Sequence, residues 1–91
     1  MITKIQYSSQ LSGENPNKAI VCIHGWRGNR TSFQFLSGLL KTPNVKWYFP
    51  EAPYILDNNT DTRSWSYEKS PGNWEIDEPN RLLNDFFESE I

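Results

Sequence analysis

The sequence predicts an α/β fold, on three observations. Residues 19–23, AIVCI, form a continuous apolar run rich in β-branched side chains. Such a run suits a strand covered on both faces, typically in a parallel sheet. Beyond it, Phe33, Leu36, Leu39 and Leu40 fall on one helical face, as in a helix that buries one stripe. VKWYF at 45–49 is then a second strand. Residues 19–49 therefore read strand–helix–strand, a crossover that normally makes its two strands parallel.

The elements follow in chain order. Ile5 and Tyr7 alternate with Lys4, Gln6 and Ser8, which predicts a short half-exposed strand. LSGENPNK at 11–18 is a turn by composition. In the crossover helix, Thr31 and Gln34 have capping-box spacing, so the hydroxyl and the amide can each satisfy a free backbone N–H. Gly38 weakens that helix by about 1 kcal/mol relative to alanine, and Pro43 lies just past its end. Residues 50–77 show no clean periodicity and are expected to form a long loop, anchored rather than disordered because it holds Trp65, Tyr67 and Trp74. Asp77 to Pro79 carry helix-start signals, and Leu82, Leu83, Phe86 and Phe87 supply the apolar stripe. The predicted order is a strand, a parallel strand–helix–strand unit, a long loop and a helix.

Composition narrows the function. With 91 residues, one domain is the ceiling. Hydrophobic residues make up 36% and aromatic ones 14%, too aromatic for a disordered tail. The formal net charge of −2 gives no reason to expect nucleic acid or an anionic membrane as partner. Cys22 is the only cysteine, which excludes an internal disulfide, and a small buried thiol is its default state. His24 is the only histidine, with no second histidine or cysteine beside it, so no metal-ligand cluster is expected. No cofactor is expected either. MITKIQYSSQ lacks the apolar core of a signal peptide and no segment approaches spanning length, so a cytoplasmic location fits best.

The chemistry concentrates at IVCIHGWRGNRTSF. A strand ending in His-Gly-x-x-Gly before a helix presents backbone N–H groups at the carboxyl edge of a sheet, where ligands bind in open α/β folds. Glycines there let a ligand approach the main chain closely. An amide held that way can donate to a developing oxyanion.

IVCIHGWRGNRTSF, PNVKWYFPEAP and RSWSYE together resemble the N-terminal part of an α/β-hydrolase, most similar to the phospholipase/carboxylesterase branch of serine esterases. The likeness covers roughly residues 17–91. It implies serine hydrolysis of carboxylic esters or thioesters, with a small ester or thioester as substrate. Carried over by position, Trp26 supplies an oxyanion-hole backbone N–H. Gly25 and Gly28 shape the turn, His24 braces it, and Trp65 lines the substrate pocket. Hydrolases of this kind also need a G-x-S-x-G elbow followed by an acid and a histidine. The chain has no G-x-S-x-G, and its one histidine precedes any place for it.

Residues 1–91 are accordingly expected to be a partial α/β-hydrolase domain, lacking the nucleophile elbow and the C-terminal half. Met1 is read as a true start, so the shortening falls at the C-terminal end. Two other readings stay open: a non-catalytic small α/β binding module using Trp26, Trp65 and Trp74, and one half of a split hydrolase that meets a complementary C-terminal half. The remaining polar residues have plainer readings. His24 suits a structural role better than proton transfer, and Arg27 and Arg30 suit solvated loop charges better than an anion site. Asp57, Asp61 and Asp77 suit turns and caps. Ser32, Ser64 and Ser66 have no neighbouring base in sequence and default to surface hydroxyls.

Overall fold

The most apolar strand of the protein sits at the centre of its main sheet. In the computed structural model, which describes residues 4–40 and 43–91, strands β1 (Gln6–Ser12), β2 (Lys18–Val21) and β3 (Val45–Glu51) form one sheet in the order β1-β3-β2. β1 is antiparallel to β3, with Gln6 opposite Glu51 and Ser12 opposite Val45. β2 runs parallel to β3, from Lys18 opposite Val45 to Val21 opposite Tyr48. Met1, read as the start, lies outside the described residues.

Alternation along β3 divides the core in two. Val45, Trp47 and Phe49 point to one face, where Ile20, Cys22, Phe33 and Leu36 cover them. Tyr48 points to the other, into a cluster with Ile5, Leu82 and Phe86. Helix α2 (Asp77–Glu90) brings Leu82 and Phe86 to that second face. The two residues are four apart and so share one side of the helix. Two phenols fasten its far end. Tyr7 Oη donates to Glu90 Oε2 at 2.6 Å, and Tyr48 Oη donates to the Glu90 carbonyl at 2.9 Å.

The expected α/β class does not hold. Among the described residues, seven strands in three small sheets dominate, and there are only two helices. Among the described residues, the segment between Thr31 and β3 lays only Phe33 and Leu36 on the sheet and forms no full crossover helix. The crossover helix predicted after Thr31 is reduced to α1 (Phe35–Leu39), five residues with none fully buried. Asn29 explains the shortening. Its Oδ1 accepts from Thr31 N at 2.8 Å and Thr31 Oγ1 at 2.5 Å, while its own N–H donates to Ser32 Oγ at 3.0 Å. Thr31 is thereby consumed in a local turn instead of capping a helix. The following N–H groups bond three residues back, Gln34 to Thr31 and Leu36 to Phe33, which tightens the chain into turns.

Two further corrections concern the strands and the loop. The AIVCI run is not doubly covered: β2 is an edge strand, Ala19 is exposed, and Ile23 is 43% exposed. The strand buried on both faces is β3. The long loop expected over 50–77 is instead two hairpins. Strands β4 (Tyr54–Asp57) and β5 (Thr62–Ser64) pair antiparallel, as do β6 (Glu68–Ser70) and β7 (Asn73–Trp74). Asp61 and Gly72 make the reversals with positive φ, 52° and 77°, as tight turns require.

The phenol–carboxylate contacts set a pH limit. Tyr7 is pushed above the ordinary tyrosine value of 10.0 chiefly by its hydrogen bond to Glu90. Tyr54 is pushed further, by burial first and then by its 2.5 Å bond to Glu78. A phenol whose pKa is higher folded than unfolded contributes stability in full below the unfolded value, and loses it as pH rises through the folded one. The melting temperature is therefore expected to fall above pH 10, followed by circular dichroism. Tyr54→Phe should flatten that fall, and an unchanged slope in the variant contradicts the assignment.

Candidate functional site

The chain leaves β2 through Cys22 and Ile23 and reverses at Gly25-Trp26-Arg27-Gly28. Gly28 N–H donates to the Gly25 carbonyl at 3.0 Å, closing a four-residue β-turn. Arg27, the third residue, has φ 72°, and Trp26 has no positive φ. That combination is a type II turn, whose third position normally takes glycine or asparagine. Arginine there stores about 1–2 kcal/mol of backbone strain.

The strain is held by the neighbouring hairpin. Arg27 N–H donates to the Arg63 carbonyl at 2.8 Å and Arg63 N–H donates to the Gly28 carbonyl at 2.9 Å, an isolated antiparallel bridge to β5. Gly28 has no room for a side chain. A Cβ there would lie 2.8 Å from Ser32 Oγ and 3.0 Å from His24 Nδ1. At Gly25, by contrast, a Cβ would meet nothing within 4 Å, so the space outside that residue is open.

His24 is the keystone beneath the turn. It is 2% exposed. Its Nε2 accepts the Ala52 N–H at 3.0 Å, which leaves the ring proton on Nδ1 to donate to the Gly25 carbonyl at 2.8 Å. Both nitrogens are occupied, so the ring fixes the turn and has no free position for proton transfer. Trp65 closes the same unit. Its Nε1 donates to the His24 carbonyl at 2.8 Å, and its ring lies 5.1 Å from the imidazole.

Three consecutive main-chain donors in this assembly, on His24, Gly25 and Trp26, are unclaimed among the described residues. Among the described residues, the Trp26 N–H forms no hydrogen bond, whereas the Arg27 and Gly28 amides on its C-terminal side are both engaged. Trp26 itself is 65% exposed. Position two of a type II turn directs its N–H outward, away from the closing bond.

No family model, no curated protein and no solved structure matches this chain.

The site residues named from the sequence therefore gather at one place: His24, Gly25, Trp26, Gly28 and Trp65 all belong to the turn or touch it. Trp74 does not join them, because it ends β7 in the β6–β7 hairpin. A cavity of about 370 Å³ opens at the other end of β2, between Lys18, Lys46, Tyr48 and Ile91. No group of acidic, histidine and cysteine side chains suited to a metal ion occurs among the described residues. Nor is any helix among them long and apolar enough to cross a membrane.

Sequence reasoning passed over Glu51. Its carboxylate is 3% exposed and takes Arg30 Nη2 at 3.0 Å, Arg63 Nη2 at 3.7 Å and the Arg30 N–H at 3.4 Å. The end of β3 is thus tied to both sides of the turn. The signal was present in PEAP, where an acidic residue closes an apolar strand between two prolines. Neither arginine that meets it is a solvated loop charge only. A buried carboxylate needs such partners, because desolvation otherwise disfavours its charge.

Proposed function

We propose that this chain provides the oxyanion-binding turn of a serine hydrolase acting on carboxylic esters or thioesters. The observation that carries the reading is the unclaimed Trp26 amide, held at the end of a strand by a buried histidine, a tryptophan and a two-bond bridge. Preorganised donors of this kind stabilise the charge that develops on a carbonyl oxygen under attack. The reading stands on this local geometry and on the likeness of the HGWRG, PEAP and RSW segments to serine esterases, and not on fold class.

The chain does not hold the whole reaction. The ring nitrogens of His24 are both bonded, Ser64 Oγ donates to the Ser66 carbonyl and Ser66 Oγ to the Glu75 carbonyl. A nucleophilic serine and its base come, in this reading, from a second polypeptide segment bearing G-x-S-x-G and a histidine. The open edge of β2 supports such an arrangement, since an unpaired edge accepts a further strand. That serine attacks the carbonyl, the histidine takes its proton and returns it to the leaving group, water then releases the acyl group from the serine by the same relay, and the Trp26 N–H holds the oxyanion in both halves.

Reconstitution tests it. The 91-residue chain alone is expected to leave p-nitrophenyl acetate at its uncatalysed rate. Combined with the serine-bearing segment, it is expected to hydrolyse that ester and to accept a fluorophosphonate on the elbow serine. Hydrolysis by the single chain that disappears on changing Ser32, Ser64 or Ser66 overturns the reading. So does failure of every such segment to yield activity.

A further inference from the structure

The sequence contains four arginines, and three of them meet a carboxylate. Arg30 and Arg63 share Glu51, Arg63 also reaches Asp61, and Arg81 pairs with Asp85 one helical turn on. Arg27 differs: among the described residues it has no acidic partner. Its guanidinium carbon lies 5.2 Å from the centre of the Trp26 ring, close enough for a cation–π contact. Stacking on an indole holds a guanidinium in place while leaving its N–H edge free for an anion. The left-handed conformation at Arg27 fixes the direction in which this side chain leaves the turn, and its guanidinium rests against the ring of the residue that carries the unclaimed amide.

We propose that Arg27, braced on the Trp26 indole, selects acyl groups that end in a negative charge, a carboxylate or a phosphate. This assignment of substrate class rests on the hydrolase reading. The amide meets the carbonyl oxygen as charge grows on it, and the guanidinium meets the permanent charge at the far end of the acyl chain. Arg30 and Arg63 cannot take that place, because Glu51 already holds both.

Two measurements test the proposal and keep its failure apart from that of the hydrolase reading. The first is a nitrogen-15 NMR titration of the 91-residue chain in 0.15 M salt, which screens diffuse attraction between exposed charges. Monomethyl succinate and inorganic phosphate are expected to shift the Trp26 amide and Arg27 side-chain signals. Dimethyl succinate, which lacks the charge, is expected to need about fivefold higher concentration, the scale of one exposed ion pair. Arg27→Gln should abolish that difference with signal dispersion preserved, and Arg81→Gln should leave it intact. Equal binding of charged and neutral esters, or a preference that survives Arg27→Gln, overturns the proposal.

The second is kcat/KM of the reconstituted hydrolase for p-nitrophenyl hemisuccinate against p-nitrophenyl acetate. An Arg27-dependent preference for the charged ester supports the assignment. Hydrolysis without such a preference overturns it and leaves the hydrolase reading standing. Arg27-dependent anion binding with no recoverable hydrolysis overturns both.

Discussion

Trp26→Pro is expected to lower kcat of the reconstituted hydrolase by about 10²–10³, the effect of deleting one oxyanion donor, or about 2.7–4 kcal/mol of barrier. The substitution is unusually clean at this site. Trp26 occupies the second position of a type II turn, where proline's fixed φ is favoured. Its N–H takes no part in closing the turn, which depends on Gly28 N–H and the Gly25 carbonyl. The residue before it is Gly25, whose lack of a Cβ eases the restriction that proline places on its predecessor. The donor is thus removed while the turn is retained. Trp26→Ala separates the amide from the indole: it keeps the N–H, so its loss in kcat is expected to stay under about tenfold, or about 1.4 kcal/mol. Steady-state kinetics on p-nitrophenyl acetate decide between them. Equal losses in the two variants assign the effect to the indole and remove the oxyanion role from the amide.

Trp47→Ala is expected to destabilise the domain by about 3–5 kcal/mol, the usual cost of emptying a large aromatic site in a core. Trp47 is 1% exposed and lies parallel to Phe49, with ring centres 6.3 Å apart. A domain of this size has only roughly 5–14 kcal/mol in total, so the variant should be largely unfolded at moderate urea. Trp47→Phe should cost under about 1.5 kcal/mol, because two effects oppose each other. Some packing is lost, but the indole Nε1, buried without a hydrogen-bond partner among the described residues, is removed as well. An unsatisfied buried donor carries a penalty of about 1–3 kcal/mol. Urea unfolding followed by tryptophan fluorescence or circular dichroism reads both midpoints. A Trp47→Ala midpoint close to that of the parent contradicts the placement of Trp47 at the centre of the sheet.

Much of the local structure was legible in the residues. The 77–79 start signals and the Leu82/Phe86 spacing correspond to α2, and VKWYF lies within β3. The HGWRG reversal is a turn because glycine at 28 is the one residue that fits between Ser32 and His24. What could not be read was the rank of the strands. An apolar pentapeptide such as AIVCI suits either a covered strand or an exposed edge, since periodicity says nothing about which neighbour is present. The failure of the crossover helix has the same origin. Thr31 and Gln34 have the right spacing for a cap, but Asn29 competes for Thr31 through shorter-range bonds, and spacing alone does not weigh one against the other. Residues 50–77 looked structureless because strands of two to four residues are too short to show a period. Their turn residues, DNNTD and PGN, carried the only clue.

By itself the sequence determined which segments bend, which are apolar, and that a histidine and two glycines follow the AIVCI strand, because turn chemistry and side-chain character act over a few residues. Only the tertiary structure decided that β3 lies at the centre, that Glu51 gathers Arg30 and Arg63, and that among the described residues the Trp26 amide is left without a hydrogen bond and the Arg27 guanidinium without a carboxylate. Those outcomes depend on contacts between residues 12 to 45 positions apart, where each group's partner is set by the packing of the whole chain and by no local pattern.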